Sequence, residues 1–296
     1  MKEIKKVVLW FAPLLSLILA VILLQSGMKS SVAIVAGVTI LCAIWWIFEP
    51  VPIPITSMLP LAIFPMTGVL TSTQVAAAYG HPLILLLLGG FVLSQSMSYS
   101  GAHRRIALMM VNLFGGTSPR RLIMGFMAAA ALLSMWISNT ATVLMLLPIA
   151  LATTEKVDNS ELRAILLLGI AYAASVGGIG TPIGTPPNAL FLSEYNKVTG
   201  QSMGFLGWMK WGVPLVFIFI PLMMLWITRN VTSKERIYVP EVGKWTTIEK
   251  RVMWVFAVTA LLWITRSEPY GGWRELTGMN TANDASVAML ACLALF

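Results

Sequence analysis

Charged side chains are scarce in this sequence of 296 residues. Asp, Glu, Lys and Arg together make up 11% of it, whereas hydrophobic residues make up 57% and the mean hydropathy is +0.82. A soluble domain is usually about 25% charged, because its surface faces water. The composition therefore excludes a separate soluble domain of any size and indicates an all-α polytopic membrane protein.

Cysteine and histidine are equally scarce, with two residues of each. Cys42 and Cys292 lie in apolar runs, which argues against a disulfide framework or a cysteine metal site. The predicted spans contain no acidic pair, no Ser–His arrangement and no H-E-x-x-H motif, which argues against an intramembrane enzyme. His81 and His103 are interpreted as loop or interface residues. The 11 tryptophans are expected to anchor spans at the membrane surface and indicate no organic cofactor.

Basic residues outnumber acidic ones, and the net charge is +8. They flank the apolar runs and form no separate basic cluster, which argues against nucleic acid as a partner and is typical of cytoplasmic loops. The first 25 residues combine a basic head with an apolar run of about 18 residues, and they lack a small-residue cleavage site. We therefore expect a retained first span rather than a removed signal peptide.

Apolar runs of membrane length recur along the chain. Residues 101–114, with a basic start and one apolar face, are predicted to lie as a helix at the membrane surface. The last run, residues 285–296, stops abruptly, so we expect the sequence to be the N-terminal part of a longer protein. Further spans are predicted at residues 7–25, 32–48, 55–70, 82–98, 208–228 and 252–265. A loop is expected up to residue 80, and a polar loop at residues 266–284.

The stretch of residues 120–154 is the part around which we expect the chain to be organised. Its 31 residues 122–152 carry no charge, and as one helix they would measure about 46 Å. That is too long for a hydrocarbon core of about 30 Å and too short for two spans with a turn. Because Ser138, Asn139 and Thr140 interrupt the middle, we predict a re-entrant hairpin with a polar tip inside the membrane.

A second interruption follows in residues 177–188, where four glycines and three prolines occur in twelve positions. Such a segment cannot form a regular helix. The passage 164–195 is long enough to cross only if the broken part lies within the membrane. We therefore predict a discontinuous span, although an ordinary kink or an external loop would fit the same residues.

The distribution of Lys and Arg supports a hairpin. With a cytoplasmic N-terminus and residues 120–154 re-entrant, 15 basic residues fall on the cytoplasmic side and 5 outside; with a crossing span the counts become 11 and 9. The positive-inside rule favours the first arrangement.

Each break would direct the start of a half-helix into the membrane interior, where its free N–H groups suit an anion. The preceding half-helices end in free carbonyls, and together with the side-chain oxygens of Ser134, Ser138 and Asn139 these suit a small hard cation such as Na⁺. Two plainer interpretations stay open. The triplet could be a capped turn between two membrane helices, and Ser134 could be a serine bonded back to its own helix.

Two motifs in this order resemble the divalent anion/sodium symporter family of dicarboxylate and sulfate transporters. They are I-S-N-T-A-T at residues 137–142 and G-I-G-T-P-I-G-T-P-P-N at residues 178–188, and W-I-F-E-P-V-P-I-P-I-T at residues 46–56 is also similar to that family. The resemblance implies two inverted repeats, each with one S-N-T hairpin and one broken helix, and an elevator-like movement. It also implies a homodimer in the plasma (inner) membrane.

The same resemblance implies roles for individual residues. Ser134, Ser138, Asn139 and the backbone at Gly184 correspond to the family's first sodium site. Asn139, Thr140 and Thr185 correspond to substrate contacts. The form T-P-P-N at residues 185–188 is similar to bacterial members that carry C4-dicarboxylates.

The expected function is thus sodium-coupled symport of a small dianionic carboxylate such as succinate, malate or fumarate, with Na⁺ as coupling ion and membrane lipid around the spans. Sulfate, citrate or arsenite transport, and a non-transporting scaffold or receptor, remain alternatives. We expect residues 1–115 to form scaffold spans with the interfacial helix. Residues 116–228 would form part of a transport domain, and residues 229–296 the start of a second repeat.

Overall fold

The computed structural model describes residues 2–114, 118–155, 159–201, 203–231, 243–268 and 271–296. Within these ranges the chain is helical and contains no strand. The basic positions Lys156, Lys234 and Arg236, which entered the charge comparison, lie outside the described residues. The chain divides into two compact units, Met1–His81 and Pro82–Phe296.

The first unit is built on a pair of long apolar helices. The second of these ends where Glu49 takes a left-handed conformation with φ 46°, directly ahead of the prolines at positions 50, 52 and 54, which cannot continue a helix. Three short helices follow. The helices of this unit are α1 (Lys2–Gln25), α2 (Ser30–Phe48), α3 (Ile53–Ser57), α4 (Leu59–Met66) and α5 (Ser72–Tyr79).

The second unit contains ten α-helices within its described residues. They are α6 (Pro82–Ser100), α7 (Ala102–Leu113), α8 (Pro119–Ser134), α9 (Asn139–Thr154), α10 (Ser160–Gly177), α11 (Pro186–Thr199), α12 (Phe205–Thr228), α13 (Thr247–Ile264), α14 (Gly272–Leu276) and α15 (Asp284–Ala294). A single 3₁₀ turn, Gly178–Gly180, follows α10.

Helix α8 lies at the centre of the second unit, packed against α7, α9, α10 and α12. Small residues bring these helices close together. A Cβ atom added at Gly125 would lie 2.7 Å from the Cα of Val111 in α7, and one at Gly177 would lie 2.5 Å from the Cα of Ala131. Close backbone approach of this kind is how membrane helices associate, since lipid gives no hydrophobic drive between them.

Five helical stretches of the described chain are long and apolar enough to cross a membrane, which fits a multi-pass membrane protein. They are Glu3–Gln25, Ser30–Phe48, Ser72–Ser100 (α5 with α6), Ser160–Gly180 (α10 with the 3₁₀ turn) and Phe205–Thr228. By contrast, α8 and α9 have 16 residues each and measure about 24 Å, less than the hydrocarbon thickness.

Three features differ from the sequence expectations. The span expected at residues 55–70 is the pair α3 and α4, which are separated at Met58 and together cover Ile53–Met66; Pro60 and Pro65 lack the N–H donors that a continuous helix needs. The expected loop before residue 80 contains α5, which starts with a capping box between Thr71 and Gln74. The polar loop 266–284 contains α14.

The amphipathic stretch forms a helix, α7, as predicted, and its position at the membrane surface stays a prediction. A buried ion pair attaches α7 to the start of α13. Arg105 Nε and Nη2 donate to Glu249 Oε1 and Oε2 at 3.1 and 3.0 Å, and the same guanidinium donates to the carbonyl oxygen of Lys244 at 2.7 Å. Hydrogen bonds from the backbone of Thr246 and from Arg105 lower the pKa of the Glu249 carboxyl. Both side chains are more than nine-tenths buried.

Candidate functional site

The uncharged stretch folds into two helices, α8 and α9, which are joined by a short turn that ends in the S-N-T triplet. Helix α8 ends at Ser134 and α9 begins at Asn139, with Ser138 as N-cap; the Ser138 hydroxyl accepts from the amide of Ala141 at 3.3 Å. Ser134 Oγ donates to Asn139 Oδ1 at 2.7 Å across the turn. The hydroxyl of Ser134 thus faces Asn139 rather than its own helix, and Ser134 is fully buried.

The Gly/Pro-rich segment interrupts the next helix as predicted. Helix α10 ends at Gly177, and α11 begins at Pro186 with Thr185 as N-cap. The buried side chain of Asn188 holds the segment together, because its Nδ2 donates to the carbonyl oxygens of Gly178 and Thr181, both at 2.8 Å.

The two interruptions are in direct contact. The hydroxyl of Thr181 donates to the carbonyl oxygen of Met135 in the hairpin turn. A Cβ atom added at Gly178 would lie 2.4 Å from Asn139 Oδ1, and one at Gly184 would lie 2.9 Å from the carbonyl oxygen of Ser134. The broken helix therefore packs against the hairpin tip through glycine positions that leave no room for a side chain.

The predicted site residues fall into two sets. Ser134, Asn139 and Gly184 lie together at this contact, and Ser138 caps α9 beside them. Thr140 is exposed and Thr185, next to Gly184, is half-buried. Among the described residues, neither threonine hydroxyl has a hydrogen-bond partner, so both are available to a ligand.

The site is polar but carries no formal charge. Two helix C-termini, of α8 and α10, and two helix N-termini, of α9 and α11, meet here. The C-termini present carbonyl oxygens with partial negative charge, and the N-termini carry partial positive charge. At the start of α9 this charge lies on N–H groups, whereas α11 starts with Pro186 and Pro187, which have none. The described residues contain no cluster of His, Cys, Asp and Glu that could hold a metal ion. The donor set is thus neutral oxygen, which suits a hard monovalent cation better than a transition metal.

Three polar residues of this region were not singled out from the sequence. Asn188 and Thr181 form the hydrogen bonds that shape the break, and both occur in the G-I-G-T-P-I-G-T-P-P-N motif. Thr142, one turn after Ser138, is fully buried, and its Oγ1 has no hydrogen-bond partner among the described residues. A buried hydroxyl without a partner is a further oxygen that fits a cation. The sequence signal for Thr142 was its place as the last residue of the I-S-N-T-A-T motif.

Two interrupted helices of this membrane chain thus meet at a set of uncharged oxygens. This is the architecture of a multi-pass transporter, in which binding sites form at broken helices. A comparison with protein families agrees, since the family described as "Citrate transporter" matches residues 43–292. The chain belongs to this family of transporters, which are not enzymes. This match and the curated relatives described next together confirm the resemblance to the divalent anion/sodium symporters.

Curated relatives are similar over nearly the whole chain. A protein of Staphylococcus saprophyticus named sodium-dependent dicarboxylate transporter SdcS is 34% identical over 307 residues, which is 96% of this chain and 58% of that protein. The protein of the same name from Staphylococcus aureus strain NCTC 8325 is 34% identical over 284 residues, covering 88% of this chain and 54% of that protein. The chain thus spans a little over half the length of these relatives.

Proposed function

We propose that this chain supplies a sodium site and a substrate site to a sodium-coupled symporter of C4-dicarboxylates such as succinate, malate or fumarate. The observation that carries the proposal is the contact between the S-N-T tip and the broken helix at Asn139, Gly178 and Gly184. The names of the relatives, which describe sodium dependence and dicarboxylates, support the substrate class.

In the proposed mechanism the cation binds first. Ser134 Oγ, Asn139 Oδ1 and backbone oxygens around Gly184 supply the sodium ligands, with Ser138 holding the tip of α9. Sodium replaces the contact between the Ser134 hydroxyl and Asn139 and orders the two tips. The site has no basic side chain to balance the charge of the dianion. The bound cation supplies a positive charge instead and offsets part of it.

The anion then binds at the helix starts that follow the breaks. The first turn of α9 presents N–H groups that have no partner within the helix. Helix α11 starts with Pro186 and Pro187, which have no N–H, so it contributes the positive end of its dipole instead. The hydroxyls of Thr140 and Thr185 lie beside these turns. Uncharged donors of this kind bind a carboxylate through dipoles and hydrogen bonds. Binding of the anion without the cation is correspondingly weak, which couples the two fluxes.

The remaining expectations of family membership belong to the same proposal. Residues 120–154 form a re-entrant hairpin open to the cytoplasm, in a plasma (inner) membrane protein whose N-terminus is cytoplasmic. Residues 116–228 move as part of a transport domain against the scaffold spans of residues 1–115 in an elevator-like step. Residues 229–296 begin a second repeat, whose own S-N-T hairpin would complete the site, and the transporter acts as a homodimer.

Two substitutions in the complete transporter test the sodium and substrate site. Asn139→Ala should abolish Na⁺-driven uptake of labelled succinate while the protein still inserts, because one side chain serves both ligands. Ser134→Ala should weaken the apparent affinity for Na⁺ more than that for succinate.

Ser175→Ala is the matched control for Ser134→Ala, since the exposed Ser175 hydroxyl bonds only to the carbonyl oxygen of Ala171 in its own helix. It should transport like the wild type. Wild-type uptake by Asn139→Ala, in protein shown to reach the membrane, would contradict the site.

Citrate is the second candidate substrate, because the matched family carries that name. A panel of labelled succinate, malate, citrate and sulfate, each measured with and without Na⁺, separates the candidates. We expect the C4-dicarboxylates to be taken up fastest and only with Na⁺.

A further inference from the structure

A cavity of about 270 Å³ lies where the start of α12 meets the end of α13 and the short helix α14. It is smaller than the pockets of about 300–1,000 Å³ that hold drug-sized ligands, so it suits a compact ion. Its apolar wall includes Phe205 and Trp263, and its polar wall includes Arg266, Glu268 and Arg274.

Most charges around this cavity are already paired. Arg266 Nε donates to Asp284 Oδ1 at 2.6 Å, and Lys210 Nζ donates to Glu268 Oε2 at 2.5 Å. Arg274 differs from them. Its Nε is buried without a hydrogen-bond partner, and it forms no ion pair with any described residue. Arg274 therefore brings to this cavity a positive charge without a counter-ion among the described residues, and its buried Nε lacks an acceptor that an anion in the cavity would supply.

The backbone adds donors to the same wall. Helix α12 begins at Phe205 without a side-chain cap, so its first amide groups have no partner within the helix. The amide of Phe205 donates to Asp284 Oδ2 at 3.1 Å, and the following residues Leu206 and Gly207 also line the cavity. The helix start and the Arg274 guanidinium thus face one space.

A row of aromatic rings separates this cavity from the hairpin tip. Phe205 stacks on Trp263 at 4.7 Å between ring centroids, and on its other side lies Trp136 of the hairpin turn at 6.0 Å. One turn further along α12, Trp208 Nε1 donates to the carbonyl oxygen of Ile179 in the broken helix at 2.7 Å. The cavity and the site described above thus share the first turns of α12.

We propose that this cavity is a second anion site, in which Arg274 and the first turn of α12 bind the dicarboxylate next to the aromatic row. This assignment rests on the proposed function for the identity of the anion. Three of the five basic residues expected on the outer side, Lys210, Arg266 and Arg274, are gathered here. On the side that the positive-inside rule leaves poor in Lys and Arg, such a concentration attracts anions towards the transporter.

Equilibrium binding of labelled succinate to the purified protein, at low ionic strength and without Na⁺, tests the second site directly. The Asn139→Ala variant removes the sodium-dependent site, so the binding that remains reports the cavity. We expect Asn139→Ala to retain this binding and Asn139→Ala/Arg274→Gln to bind about tenfold or more weakly, as for the loss of a hydrogen bond to a charged group. Arg274→Lys in the same background keeps the charge and should keep most of the affinity.

The matched control is Asn139→Ala/Lys197→Gln, which removes an exposed positive charge that is paired with Glu194. It should bind like Asn139→Ala. Absence of succinate binding by Asn139→Ala, or equal binding after Arg274→Gln, would overturn the second site. The proposed function would be contradicted by a different result, namely uptake that does not depend on Na⁺ or on Asn139. The two failures are therefore distinguishable.

Discussion

Gly184 illustrates what one atom decides at the contact between the two breaks. A Cβ atom added there would lie 2.4 Å from the carbonyl oxygen of Gly178 and 2.9 Å from that of Ser134. Both obstacles are backbone, which cannot move aside as a flexible side chain can. The proposed binding of Na⁺ by backbone oxygens around Gly184 requires the broken helix to lie close to Ser134. Only a residue without a side chain at position 184 allows this close approach.

Gly184→Ala should separate the broken helix from the hairpin tip and remove most Na⁺-driven uptake, with a loss of stability of about 1–3 kcal/mol as for an overpacked core. Uptake of labelled succinate and thermal unfolding in detergent measure the two effects. Gly243→Ala is the control, because nothing lies within 4 Å of the added Cβ. Normal uptake by Gly184→Ala would show that the close approach is unnecessary.

At the scale of elements, the ion pair between Arg105 and Glu249 joins α7 to α13 across 144 residues of sequence. The amphipathic pattern predicted the helix but not the pair, because Arg105 lies in a basic run that is more typical of a solvated face. Two hydrogen bonds between the side chains and two more to the carbonyl oxygens of Gly243 and Lys244 satisfy the guanidinium. The pair holds α7 against the rest of the second unit.

Arg105→Leu should lower the free energy of unfolding by roughly 3 kcal/mol or more, since it leaves the Glu249 carboxylate buried and unpaired. The double variant Arg105→Leu/Glu249→Leu should recover much of that loss, because it removes the isolated charge. Thermal unfolding of the purified variants measures both. Lys197→Gln breaks an exposed pair and should change stability by less than about 1 kcal/mol. An Arg105→Leu effect as small as this would contradict the role of the pair.

For the whole molecule, the orientation of the hairpin determines on which side every later segment lies. Single cysteines can report this in a background in which Cys42 and Cys292 are replaced by Ser. The exposed positions Arg104 and Glu161 lie before and after the hairpin, and the exposed Lys197 lies beyond the broken helix.

With a membrane-impermeant maleimide on intact cells, Lys197→Cys should be labelled. Arg104→Cys and Glu161→Cys should react only after permeabilisation, since a re-entrant hairpin returns the chain to the cytoplasmic side. Labelling of Glu161→Cys in intact cells would mean that residues 120–154 cross the membrane, and the proposed topology would be wrong.

The sequence alone determined the membrane class, the long helices and the positions of both breaks. These depend on local properties: apolar length, the N-cap preference of Ser138, and the glycines and prolines of residues 177–188. It placed α5 and α14 in loops and joined α3 to α4, because short helices carry too little periodicity to stand out.

Only the tertiary structure decided which distant groups meet. The contacts of Asn139 with Gly178, of Thr181 with Met135 and of Arg105 with Glu249 join segments that no local pattern relates. The same holds for Arg274, because only the packing of α12, α13 and α14 around a cavity shows that its Nε has no hydrogen-bond partner. The physical reason is that helix formation is governed by neighbours in sequence, whereas a binding site is a property of chain segments that packing brings together.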